Sequence, residues 1–224
     1  MVITIFLVGG LFFLIFLSIP IPFAMAAVLA IATFFTPGVP NWIFVQRMFK
    51  GLESFILIAV PFFLLSGLIM NKAGITKNLI DMSQSFVGHL RGGMAHVNIL
   101  VSMFFAGISG SSTADTAGIG SILIPAMIDR GYKKDFTVSV TAASSTLGVI
   151  IPPSTLMIIY SAVTNTSVGA LFMAGFIPGI IIAAVQMILS YIFAIKYNYP
   201  KEKKATLKEL LISVKKALLP LFTP

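Results

Sequence analysis

The 224 residues are 58% hydrophobic and only 10% charged, with a mean hydropathy of +1.02. A soluble domain carries about 25% charged residues, so too little polar surface exists here to wet a globule, and an ordinary soluble enzyme is excluded. The formal charge is +8, but the basic residues cluster between apolar runs, as in cytoplasmic membrane loops, which argues against a nucleic-acid partner. With no cysteine, disulfides, thiol catalysis and Cys-type metal sites are excluded.

Met1 to Leu17 is uncharged and lacks the basic start of a signal peptide, so it reads as a retained transmembrane helix. Crossing ~30 Å of hydrocarbon takes roughly 20 helical residues. Residues 2–17 and 23–35 are short helices separated by Pro20 and Pro22, because two prolines remove donors and clash inside a helix. Residues 41–50, with Trp42, Arg47 and Lys50, look interfacial. Residues 52–70 form a spanning candidate kinked at Pro61, with Glu53 as a first-turn acid. Residues 71–93 alternate polar and apolar positions at helical spacing, which fits an amphipathic helix on the membrane surface.

Residues 94–135 carry the strongest signal. An apolar limb (97–106) runs into Gly107-Ile108-Ser109-Gly110-Ser111-Ser112-Thr113-Ala114-Asp115, and a second limb (119–128) follows. Neither limb, at about 21 Å, spans alone, and a single helix would place its polar centre in lipid. A re-entrant hairpin with its tip buried in protein satisfies both constraints. The next segment repeats the theme. A helix over 136–146 is expected to break at Leu147–Ile151 and restart at Pro152-Pro153-Ser154, Pro being a helix-start residue. An uncharged turn at 163–167 leads to a spanning helix over 170–195, and 196–216 carries seven lysines against two glutamates. Under this layout the basic regions 72–91, 130–134 and 196–216 share one side, while Arg47 and Lys50 fall on the other.

A half-helix end inside a membrane exposes unpaired peptide groups. Carbonyl ends suit Na⁺ and N–H ends suit an anion. Two hydroxyl-rich breaks close in sequence point to the central site of a transporter. Small-residue packing is the plainer reading of Gly107, Gly110, Gly118 and Gly120. For Asp115 two roles stay open. As an intramembrane acid it is a candidate ion ligand, and its spacing from Ser112 is that of a capping box with Asp replacing Glu. His89 and His96 lie near the interface and read as structural rather than as a proton relay. Gly107-Ile108-Ser109-Gly110 matches the G-x-S-G of intramembrane serine proteases, but no histidine follows His96 to act as its base.

The runs Leu57–Phe63, Gly107–Gly120 and Thr141–Ser154 (TAASSTLGVIIPPS) resemble the large membrane subunit of tripartite ATP-independent periplasmic (TRAP) transporters, over essentially the whole chain. The resemblance implies an all-α, multi-span transporter carrying a re-entrant helical hairpin and a broken transmembrane helix, one half of an inverted-repeat elevator fold. It also implies a bacterial inner-membrane location and Na⁺-coupled import of organic acids of the C4-dicarboxylate or sialic-acid type. The implied partners are a small membrane subunit and a periplasmic substrate-binding protein, with Na⁺ as coupling ion and no other cofactor. Carried onto this sequence, it places Na⁺ ligands among Ser109, Gly110, Ser111, Ser145, Gly148 and Pro152, and extends the ion and substrate site to Ser112, Asp115, Ser144, Thr146, Pro153 and Ser154.

The expected organisation is scaffold helices over 1–70, an interfacial helix over 71–93, half of a transport domain over 94–195 and a cytoplasmic connecting segment over 196–224. The transport half comprises the hairpin 94–129, the broken helix 136–164 and a span over 168–195. The family subunit is about twice as long, with a second hairpin, so a truncated or split form unable to move substrate alone is the expectation, the C-terminal half being one of its partners. Another inverted-repeat anion carrier, a channel or a non-transporting fragment are the alternatives.

Overall fold

The computed structural model describes residues 2–36, 38–40, 42–53 and 55–221, and among them every regular element is helical. The chain divides into two compact units at residue 54.

The first unit holds α1 (Val2–Phe16), α2 (Ile21–Phe35) and α3 (Trp42–Leu52). The chain leaves α1 through Ser18, whose φ of 61° is left-handed, and Pro20 and Pro22 bracket the start of α2. The expected break therefore sits where the prolines place it. Helix α2 buries Ala24, Val28 and Ala32, one per turn on a single face. Phe12, Phe13, Phe16, Phe23, Phe34 and Phe35 stay exposed, a surface suited to lipid rather than water. Glu53 closes the last turn of α3, its N–H donating to Phe49 O, so it is not a first-turn acid of the next helix. Asn41, counted above with the interfacial segment, lies outside the described residues.

The second unit holds α4 (Phe55–Lys72), α5 (Ile75–Val87), α6 (Gly93–Ser109), α7 (Ser112–Asp129), α8 (Lys134–Ser145), α9 (Leu147–Ile150), α10 (Thr155–Thr164), α11 (Val168–Lys196) and α12 (Leu207–Leu221). A 69° bend separates residues 57–70 from α5, with Gly74 at φ 79° making the turn. Helix α5 buries Thr76, Leu79, Ile80, Met82 and Ser83 and exposes Lys77 and Asp81 on its other side, the amphipathic division its sequence calls for. Among the described residues, two stretches are long and apolar enough to cross a membrane, Lys134–Thr164 and Val168–Lys196. The second spans about 44 Å at 1.5 Å per residue and leaves Met173, Phe176, Ile177, Ile181 and Ile188 exposed.

Helices α6 and α7 form an antiparallel hairpin. Asn98, early in α6, reaches Met127 Sδ at 3.7 Å, late in α7, while Ser109 at the end of one meets Asp115 at the start of the other. Both limbs are longer than expected, at 17 and 18 residues. The helices continue into the small-residue run from either side, and only Gly110 and Ser111 lie outside them. The break in the following helix also differs from expectation. Residues 147–150 are a helical turn, and the interruption falls at Ile151–Ser154 instead. Pro152 and Pro153 have no N–H to donate, so they occupy the gap, joined by a cis peptide bond, rather than the first turn of α10.

Three turns meet at one end of this unit. Gly92 N–H donates to Pro200 O at 3.2 Å, Glu202 N–H to Gly88 O at 3.3 Å, and Lys133 N–H to the Tyr199 hydroxyl at 3.3 Å. Arg130 pairs with Glu202 at 3.3 Å, Gln84 donates to the same carboxylate, and the Tyr132 and Tyr199 rings lie 4.3 Å apart. The three basic regions that the sequence assigns to one side are thus brought together. Ahead of α12, Thr206 N–H donates to Glu209 Oε2 at 2.8 Å while Glu209 N–H donates to Thr206 Oγ1 at 3.3 Å, a reciprocal capping box.

Candidate functional site

The hairpin tip is built by α6 ending in a left-handed glycine. Gly110 has φ 57° and its N–H closes on Ala106 O, a helix stop that L side chains resist. Ser111 then caps α7, its hydroxyl accepting from Ala114 N–H at 3.4 Å. The cap is therefore Ser111 and not Ser112, and Asp115 makes no reciprocal bond to the cap. Its carboxylate turns back across the tip, where Oδ1 accepts a hydrogen bond from the Ser109 hydroxyl. Asp115 is fully buried, and its Oδ2 has no hydrogen-bond partner.

The tip sits against the interrupted helix. Thr155, the first residue of α10, donates its N–H to Gly110 O at 3.2 Å. A Cβ on Gly110 would collide with the Phe63 ring and come within 3.0 Å of Thr155 N and Oγ1. The same test at Gly148 meets Asp115 Oδ2 and Cγ, with the Ser111 carbonyl carbon at 3.2 Å. Only glycine lets the α9 backbone approach the carboxylate this closely. The two interruptions singled out in the sequence are thus one junction, closed by Gly110–Thr155 on one side and Asp115–Gly148 on the other.

The remaining sequence candidates divide. Ser154 is buried and caps α10, accepting from Met157 N–H at 3.5 Å and donating to Val149 O at 2.8 Å. Pro152 and Pro153 face Gly107, the carbonyl oxygen of Pro152 lying 3.8 Å from where a Cβ would stand. Ser145 is buried but its hydroxyl is tied to Thr141 O at 2.7 Å. Ser144 is drawn into a different cluster. Ser102 donates to it at 3.0 Å, it lies 3.0 Å from Asn98 Oδ1, and Asn98 Nδ2 donates to Thr141 Oγ1 at 2.7 Å. That cluster fastens α6 to α8. Thr146 is exposed and bonds back to Ala143 O, and Ser112 offers its carbonyl to Thr116. His96 is buried against the Tyr191 ring, centroids 6.2 Å apart.

Thr155 and Phe63 belong to the junction without having been singled out as site residues. Thr155 Oγ1 is buried without a partner, and the only sequence signal for it is its place directly after a serine cap. The oxygens available around the junction are hard: the Asp115 carboxylate oxygen on the Gly148 side, the Thr155 hydroxyl on the Gly110 side and the carbonyls at the helix ends. That set suits a hard cation such as Na⁺ rather than a transition metal. Among the described residues no three His, Asp or Glu gather to bind a metal.

Comparison with known proteins places the chain in a family. Residues 8–224 match the family model "Tripartite ATP-independent periplasmic transporter, DctM component". The sialic acid TRAP transporter large permease protein SiaM of Vibrio cholerae is 41% identical over 211 residues, 94% of this chain and 49% of that protein. The chain belongs to the TRAP DctM component family. Its members include transporter permeases rather than enzymes. The C4-dicarboxylate TRAP large permease DctM of Pseudomonas aeruginosa is 43% identical over 172 residues, 77% of this chain and 40% of that protein. The 2,3-diketo-L-gulonate TRAP large permease YiaN of Escherichia coli is 35% identical over 218 residues, 97% of this chain and 50% of that protein. The chain spans about half the length of these curated relatives, and like them it is a membrane protein.

Proposed function

We propose that the chain acts as the N-terminal repeat of a TRAP large permease, contributing half of a transport domain that imports an organic acid across the bacterial inner membrane together with Na⁺ moving down its inward gradient. The α6–α7 hairpin is re-entrant and works with α8–α11 as one half of a transport domain. Helices α1–α4 belong to the scaffold, and α5 lies along the membrane surface. A periplasmic binding protein delivers substrate, and a small membrane subunit supports the scaffold. The relatives named above carry sialic acid, C4-dicarboxylates or diketogulonate by their names, so the substrate class is a carboxylate, and the N-termini of α7 and α10, where each serine cap takes up one first-turn N–H and leaves others free, are suited to bind it.

The observation that carries this reading is the unpaired, fully buried Oδ2 of Asp115 at the junction of the two interruptions. A carboxylate oxygen without a donor in a buried place is costly, and a bound cation removes that cost. In this reading Na⁺ is held by Asp115, the Thr155 hydroxyl and carbonyls of the 109–111 and 148–152 segments. Holding it draws the hairpin tip onto the broken helix, and substrate then meets a completed site. The ion supplies charge compensation; Asp115 and Gly148 supply the shape that admits it.

Uptake of radiolabelled carboxylates by cells producing the chain with its transporter partners tests the reading. Saturable uptake that disappears when choline replaces Na⁺ is expected. Uptake indifferent to Na⁺, or a non-saturating current, contradicts it.

A further inference from the structure

A groove with a volume of about 450 Å³ lies between α8, along residues 135–143, and the last third of α11, away from the hairpin junction. Its walls are mostly apolar, with Phe136, Val140 and Ala143 from α8 and Leu189 and Phe193 from α11, and Ser139, Gln186 and Ser190 add a few polar groups, as in pockets that take ligands of this size. Its mouth is different in kind. Lys133 Nζ lies 4.3 Å from the centre of the Tyr197 ring and Lys196 Nζ lies 5.8 Å from it. Asp135 is the acidic residue at that mouth, yet neither lysine has a carboxylate within ion-pairing distance among the described residues, where Arg130–Glu202 is the one salt bridge. An apolar slot running beside two unpaired cations and an aromatic ring, at the end of a 29-residue apolar helix, has the polarity profile of a phospholipid lying along a membrane protein.

We propose that this groove holds one acyl chain of an anionic phospholipid, whose phosphate is met by Lys133 and Lys196 beside Tyr197. Basic pockets between membrane helices take such headgroups, and tyrosine is favoured at the depth where phosphates lie. A zwitterionic lipid brings a cation of its own to the two lysines and gains less. The slot fixes where the chain lies, and the two ammonium groups select the headgroup. This lipid would bridge α8 and α11 on a face that the Asp115 junction does not use, so the inference is independent of the transport reading.

The test reconstitutes the chain in phosphatidylcholine nanodiscs containing a few per cent phosphatidylglycerol, then extracts it gently and measures the retained lipid by native mass spectrometry. Each lysine near a membrane surface favours an anionic lipid enough to predict roughly ten- to thirty-fold enrichment of phosphatidylglycerol over bulk for the pair. K133Q/K196Q is expected to lower retention to the bulk ratio, and K133R/K196R to keep it. S139W, which fills the slot from an exposed α8 position, is expected to release the lipid with both lysines intact. A charge-matched double variant elsewhere, K77Q/K208Q, is expected to retain it. Enrichment that survives K133Q/K196Q or S139W overturns the site, as does loss in K77Q/K208Q, which would mark a general surface charge effect. No enrichment in the unaltered chain overturns it as well, and would assign the groove to a protein segment instead.

Discussion

The carboxylate of Asp115 lies directly over the Cα of Gly148, so close that no side chain can stand between them. One residue opens α7 and the other sits in the single helical turn α9. Their contact joins the hairpin tip to the interrupted helix, and the buried oxygen that faces Gly148 has no protein donor.

Gly148→Ala puts a methyl group into that contact, and the neighbours that must yield are a carboxylate and backbone rather than the end of a flexible chain. Overpacking of this kind costs about 1–3 kcal/mol, read as a lowered unfolding midpoint in detergent. Gly107→Ala is the matched control. Its new Cβ would stand 3.8 Å from Pro152 O and 3.9 Å from Pro153 Cδ, which is ordinary contact, so stability should hold or rise by the helix preference for Ala. Equal destabilisation by both would contradict the packing described.

The Asn98–Thr141–Ser144–Ser102 cluster is buried on all four members. Asn98→Ala and Thr141→Val, made singly and together, should show a coupling of about 0.6–1.7 kcal/mol, the range found for interhelical bonds in membranes. Additive effects in this double-mutant cycle would mean that the 2.7 Å bond contributes nothing to joining α6 and α8.

At the end where the three turns meet, burial pushes the Tyr132 phenol up to about 12 from its ordinary 10, while the Met94 N–H bonded to its oxygen works the other way and the nearby Glu202 charge adds to the rise. A raised folded value means that the proton stabilises the fold. That contribution is whole below pH 10 and is lost as pH rises from 10 to about 12. Alkaline titration followed by tyrosinate absorbance should show one late phenol, absent in Tyr132→Phe. A Tyr132→Phe protein with the same late titration would contradict the assignment.

The Glu209 carboxyl is held below its ordinary value of 4.5 by the Thr206 backbone N–H first and the Thr206 hydroxyl second. The sign is opposite to that of Tyr132. The capping contribution is present above the ordinary value and fades as pH falls through the lower folded one. Helicity of α12 should therefore drop on acidification, Glu209→Gln should remove that dependence, and Thr206→Ala, which keeps the backbone N–H, should only weaken it, as circular dichroism of the paired proteins would show.

Much of this architecture is legible from hydropathy and punctuation. Pro20 and Pro22 mark the α1–α2 break, and the uncharged run from 168 to 195 marks α11, because proline chemistry and helix length act locally. The details of the junction are less local. Pro152-Pro153 reads as a helix start, yet Ser154 rather than a proline caps α10, since only a side-chain oxygen can satisfy Met157 N–H. The break consequently falls four residues later than Leu147 suggests. Spacing alone leaves the roles of Asp115 open, because its partners, Ser109 and Gly148, are fixed by how the hairpin packs. Thr206-x-x-Glu209, by contrast, is a readable cap that the lysine-rich character of its segment obscures.

The most direct test of the central claim is the unfolding midpoint of the detergent-solubilised chain in Na⁺ against choline at equal ionic strength. If Na⁺ binds at the Asp115–Gly148 junction, tenfold excess over the dissociation constant stabilises the chain by about 1.4 kcal/mol, and Asp115→Asn and Gly148→Ala each abolish the difference. The same Na⁺ dependence in both variants as in the unaltered chain would contradict the account, as would midpoints for the unaltered chain that do not distinguish Na⁺ from choline.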